Sequence, residues 1–66
     1  MNDAERLASI LGSQIRAARV LGVTPEHVSR MVKGRKDVPE YVTVIADLLE
    51  QTPRGQWPAS VTARLD

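Results

Sequence analysis

The chain has 66 residues, a formal charge of +1, no cysteine, a single histidine, and only Tyr41 and Trp57 as aromatic residues. So short a chain holds one domain with a small aliphatic core, and without cysteine it has neither a disulfide framework nor a Cys-based zinc site, in keeping with a reducing cytoplasm. Its opening, MNDAERLAS, puts acids where a secretion signal would carry positive charge, and no apolar run approaches membrane-spanning length, so the sequence reads as cytoplasmic with no membrane partner.

Asn2 and Asp3 are N-cap candidates for a first helix whose Ala4, Leu7, Ala8 and Leu11 share a face. Ile10 falls beside that stripe and reads as core, with a dimer contact as the alternative. Gly12 ends the helix and Ser13 caps the next one, and so short a connection packs the two at an angle. In the second helix, which begins at Gln14, Ile15, Ala18 and Leu21 recur at the i, i+3, i+6 spacing of a buried face. Arg16 and Arg19 fall on its exposed side, where helix rotation decides between phosphate contact and solvation. Gly22 takes the left-handed conformation that stops a helix and turns the chain. Thr24 then serves as N-cap, Pro25 as the first helical residue, and Glu26 complements the dipole. Val28, Met31 and Val32 supply the apolar stripe of this third helix.

The stretch QIRAARVLGVTPEHVSRMVK, from Gln14 to Lys33, organises the rest. Ala18, four before Gly22, is small enough to let two helices cross closely. Val23 plugs the corner, and Val28 and Met31 face back across it. This set of residues resembles the DNA-binding helix-turn-helix of the lambda-repressor-like and Cro-like family of small phage or mobile-element repressors. The resemblance covers Gln14 to about Gly34 well, and extends more loosely through KGRKDVPEYV to a helix ending near Glu50. It implies an all-α domain of four helices, or five if the tail adds a short one. Glycine corners also occur in helical bundles that touch no DNA, and here the polar residues separate the two cases. Glu26, His27, Ser29, Arg30 and Lys33 are left facing outward, and they are hydrogen-bonding or cationic side chains. The resemblance places Thr24, Pro25, Glu26, Ser29 and Arg30 against base edges and brings Gln14 to a phosphate; His27, on the same helix, reads as a further DNA contact, with a partly buried spacer as the alternative. Lys33, Arg35 and Lys36 lie at the far end of the helix and in the next loop, where backbone contacts position a domain without reading sequence.

Beyond Gly34, Pro39 opens a fourth helix whose expected core stripe is Tyr41, Val42, Ile45, Leu48 and Leu49. Val44 lies at its margin as a candidate dimer contact. Residues 1–51 thus form the helix-turn-helix domain. Residues 52–66 form a tail expected to pack on the core or on a dimer partner, with Trp57 as an apolar peg. The closing ASVTARLD reads as a helical turn, a frayed end or a pairing arm.

The small net charge hides an uneven distribution. From Gln14 to Lys36 six basic side chains face Glu26 alone, while the segments on either side are net acidic. A one-sided basic surface is what phosphate contact requires. No nucleophile–base pair, carboxylate pair, metal-ligand cluster or glycine-rich phosphate loop is present in the sequence, so it carries no enzyme, cofactor or metal signature. The reading is a sequence-specific repressor of transcription that occludes a promoter, as a homodimer on an inverted-repeat operator in double-stranded DNA. The rival is a helical protein-binding module, antitoxin-like or an adaptor, that meets its partner through Val44, Trp57 and the tail.

Overall fold

Local capping chemistry decides where the first three helices begin and end. The computed structural model describes residues 1–65 and contains α1 (Asp3–Leu11), α2 (Gln14–Leu21), α3 (Pro25–Val32), α4 (Glu40–Gln51), a 3-10 turn at Arg54–Gln56 and α5 (Ala59–Thr62). No strand occurs among the described residues, so the fold is all-α. The last residue of the tail, Asp66, lies outside them.

The first backbone N–H groups of a helix have no partner within it. Side-chain oxygens of Asn2, Ser13 and Thr24 accept from the N–H of Glu5 (2.9 Å), Arg16 (3.1 Å) and His27 (3.2 Å), one cap for each of the first three helices. Asp3, expected beside Asn2 as a cap, is instead the first residue of α1. At the other ends, Gly22 and Gly34 both have φ of 74°. In each case the next N–H reaches back across the glycine, Val23 to the Ala18 carbonyl (3.0 Å) and Arg35 to the Arg30 carbonyl (2.9 Å), in the pattern that satisfies orphan carbonyls at a left-handed stop. Pro39 is the N-cap of α4 rather than its first residue.

The packing centre is α1, which lies against α2, α3 and α4 in turn. Its Leu7 and Leu11 are wholly buried, together with Val28 and Met31 of α3 and Val42 of α4. Between these larger side chains sit five buried alanines, Ala4, Ala8, Ala17, Ala18 and Ala46. Small residues at the crossings let short helices approach closely, which is how so small a chain closes a core.

Two faces differ from expectation. In α2 the buried residues are Ala17 and Ala18, with Leu21 half-buried, whereas Ile15 is 53 % exposed. An eight-residue helix offers several apolar rows, and contact with both α1 and α3 selects the row with the smallest side chains. In α4 the buried row is Val42, Ala46 and Leu49, Ile45 is half-buried, and Tyr41, Val44 and Leu48 stand exposed. Six large apolar side chains on α4 span more of its circumference than a helix packed chiefly on one neighbour buries.

Beyond α4 the chain folds back. Trp57 joins the core, and its indole N–H donates to the carbonyls of Leu49 (3.2 Å) and Thr52 (3.0 Å) at the end of α4, the first of which also accepts from the Thr52 N–H (3.4 Å). The Arg54 guanidinium lies over the indole, 5.2 Å from its centroid, and Val61 and Leu65 pack partly against the same cluster. No helix among the described residues is long and apolar enough to cross a membrane.

Candidate nucleic-acid interface

Helix α3 is held from both sides, by α1 and by α2. A further tie comes from the start of the chain, where the Asn2 amide donates to the carbonyls of Met31 (2.7 Å) and Val32 (3.3 Å). One asparagine therefore caps the start of α1 with its oxygen and the end of α3 with its nitrogen. Its capping role was legible from its place before an apolar periodic run. The second role joins residues about thirty positions apart and leaves no local signal.

On the outer side of α3, Thr24, Pro25, Glu26 and Arg30 are exposed, and His27 and Ser29 are half-buried, less outward than their place in the sequence implies. The Thr24 hydroxyl is engaged by the His27 N–H, so it meets a ligand with its remaining lone pair and its proton. Glu26 and Arg30 are one turn apart and form an ion pair at 2.7 Å, with side-chain exposures of 73 % and 59 %. A pair so open to water contributes only about 0.3–0.5 kcal/mol, so its effect is to orient the guanidinium rather than to hold the helix together. The bond uses Nη2 of Arg30 and leaves the rest of the fork free.

After α3 the chain turns through Lys33 and Gly34 into Arg35 and Lys36, all exposed. Among the described residues none of these three cations is paired with a carboxylate. Gln14 is exposed at the first position of α2, directly after its Ser13 cap.

The other cations are differently placed. Arg16, expected on the exposed side of α2, is half-buried, and its Nη1 donates to the Leu11 carbonyl (3.3 Å) at the end of α1. A Cβ built on Gly12 would sit 3.1 Å from that same nitrogen, so Gly12 leaves room for the arginine. Arg19 is exposed, and its Nη1 donates to the Leu65 carbonyl (3.3 Å). Both arginines thus tie α2 to neighbouring segments. Where α1 meets α4, Arg6 is surrounded by acids, with Asp47 at 2.7 Å, Asp3 at 3.2 Å and Glu50 at 3.5 Å. The hydrogen bond from Thr43 and then the charge of Arg6 hold the Asp3 carboxyl below its usual range, against the opposing effect of desolvation. The bond to Asp47, followed by the charges of Asp47, Asp3 and Glu50, raises the pKa of Arg6.

The described residues therefore present a net acidic seam where α1 meets α4, three carboxylates around one arginine, and an exposed row of uncommitted positive charge at the end of α3. No group of His, Asp or Glu among them is placed to hold a metal ion. Comparison with protein-family models, with curated proteins and with solved structures finds no match to this chain.

Proposed function

We propose that the chain is a sequence-specific, double-stranded-DNA-binding repressor of transcription, in which α2 and α3 act as a helix-turn-helix and the protein occludes a promoter. The observation that carries the proposal is the joining of two features on one element. The exposed side of α3 bears side chains suited to base edges, and it runs directly into Lys33, Arg35 and Lys36, cations with no carboxylate partner among the described residues. Arginine grips guanine through paired donors in the major groove, so Arg30 is assigned to a guanine, with Glu26 either bracing it or accepting from a cytosine amino group. Thr24, Pro25, His27 and Ser29 complete the reading surface. Gln14, Lys33, Arg35 and Lys36 hold phosphates.

Charge supports the orientation. The acids around Arg6 keep that side of the molecule away from a polyanion. One short helix reads only a few base pairs, so the operator is an inverted repeat bound by a homodimer, its half-sites about 34 Å apart. Such a repressor belongs in the cytoplasm of a bacterium, carried by a phage or another mobile element.

A fluorescence-anisotropy titration tests this, using the duplex upstream of the protein's own coding sequence and a scrambled control at several salt concentrations. The expected result is tighter binding to the upstream duplex, with log K falling against log salt at a slope of roughly −3 per protomer for the three cations on phosphates, Gln14 being neutral. Equal affinity for both duplexes would remove sequence specificity. Affinity that ignores salt would remove the phosphate contacts and with them the proposal.

A further inference from the structure

Five large hydrophobic residues are exposed among those described, Met1, Ile15, Tyr41, Val44 and Leu48, and three of them share α4. Tyr41, Val44 and Leu48 follow the i, i+3, i+7 spacing of a single helical stripe. Leu48, at 60 % exposed, is the most prominent of the three. Beside this ridge, between α4 and the returning tail, runs an apolar groove of about 340 Å³ lined by Ile45, Leu48, Leu49, Thr52, Pro58 and Val61. No cation lines the groove, so neither nucleic acid nor an anionic lipid surface suits it.

We infer that this face is where a second copy of the same chain docks, antiparallel about a two-fold axis, with the Leu48 ridge of each copy seated in the groove of the other. A two-fold interface must be self-complementary, because the same patch meets itself. A ridge lying next to a groove of matching chemistry has that property, and a ridge alone does not. Exposed charges of both signs flank the start of α4, Arg35 and Lys36 beside Asp37 and Glu40, so the orientation follows from the two-fold axis crossing the ridge near its middle, which runs the two copies of α4 antiparallel. Asp47 and Glu50, the remaining acids of α4, are turned to Arg6 and α1.

The available size also fits one small partner. A standard interface covers about 800 Å² on each side, roughly a fifth of the 4225 Å² of this chain. A twelve-residue helix is only about 18 Å long, so with the tail it offers a patch at or below that size. The dimer is accordingly weak when free, in the micromolar range, and strengthened when two half-sites hold both copies. Because α4 packs chiefly on α1, this arrangement leaves the outer side of α3 uncovered. The inference deepens the proposed function by assigning the dimer contact, and it rests on that reading only for the link to an operator.

Sedimentation velocity on the full chain without DNA, from about 5 to 500 μM, tests it. The mass is expected to rise from 7.3 kDa toward twice that value, whereas Leu48→Glu stays monomeric, at least ten-fold weaker, with an unchanged circular dichroism spectrum because Leu48 is exposed. Val44 lies midway along the stripe, nearest the axis. Val44→Cys, whose thiol would be the only one in the chain, is therefore expected to form a disulfide-linked dimer under mild oxidation, and Ile15→Cys, comparably exposed on α2, is not. Wild-type protein that stays monomeric at 500 μM, Leu48→Glu that associates like wild type, or Ile15→Cys that cross-links as readily as Val44→Cys would each overturn the inference. If Leu48→Glu is less well folded, the cysteine pair decides. DNA separates this inference from the functional reading. Leu48→Glu should bind a single half-site like wild type and lose at least ten-fold on the full operator. Wild type that dimerises yet binds neither duplex would leave the interface standing and remove the DNA reading.

Discussion

Gly22 has φ of 74°, and a Cβ placed on it would meet nothing within 4 Å. The cost of a side chain there is therefore backbone strain alone, and Gly22→Val should lower stability by roughly 1–3 kcal/mol. Urea denaturation reads this directly, and Gly22→Asn should lose less, since asparagine enters the left-handed region more readily. An unchanged midpoint for the valine variant would contradict the strain assigned to this corner. At the reading surface, residues differ by role rather than by strain. Arg30→Ala should cost roughly 1–3 kcal/mol on the true operator and little on scrambled DNA. Arg35→Ala should weaken both alike and reduce the salt slope by about one unit. Equal losses on the two duplexes for Arg30→Ala would move that residue to the phosphate set and leave Glu26, His27 and Ser29 to read the bases.

At the scale of the helices, what was legible in the sequence was local. Asn2, Ser13 and Thr24 announce helix starts and Gly12, Gly22 and Gly34 announce ends, because each acts on backbone groups within a turn of itself. Which way a helix is rotated is not local, and there the reading fails. Ile15 in α2, and Tyr41 and Leu48 in α4, had the right spacing for the core but lie outside it, since the neighbouring helices cover the Ala17–Ala18 side of α2 and the Val42, Ala46 and Leu49 row of α4 instead. The candidate site divides in the same manner. Glu26, Arg30, Lys33, Arg35 and Lys36 are exposed as their place in the sequence implies, whereas half-buried Arg16 and the second bond of Asn2 depend on contacts between segments. That second bond gives a test at this scale. Asn2→Ala removes a cap worth about 0.5–2 kcal/mol and also the ties to Met31 and Val32, so the loss should exceed that from Ser13→Ala, which removes a cap alone. Equal losses in denaturant midpoint would show that the tie to α3 adds nothing.

For the molecule as a whole, a 66-residue chain has a small margin of stability, and the seam between α1 and α4 makes part of that margin depend on pH. Asp3 has a folded pKa below its ordinary 3.8, because Thr43 and Arg6 favour the carboxylate. Its contribution is therefore fully present above the unfolded pKa and is lost as pH falls through the lower folded value. Thermal melts across the range from about pH 6 down to pH 2 should show the wild type losing stability below about pH 4, and Asp3→Asn should flatten that acid limb. Parallel curves for the two proteins would assign the acid sensitivity to other carboxylates. Arg6 stays charged throughout, since its neighbours raise its pKa further.

Trp57 is the sole tryptophan of the chain, and it lies in the tail yet within the core, beneath the guanidinium of Arg54. The protein thus carries its own optical label, remote in sequence from the reading surface and bonded to the end of α4. Indole emission follows the docking of the tail, while far-ultraviolet dichroism follows the helices. Because the indole shares one buried cluster with α1 to α4, both signals should change together on heating, and an emission shift that came first would mean that the tail is a separate cooperative unit.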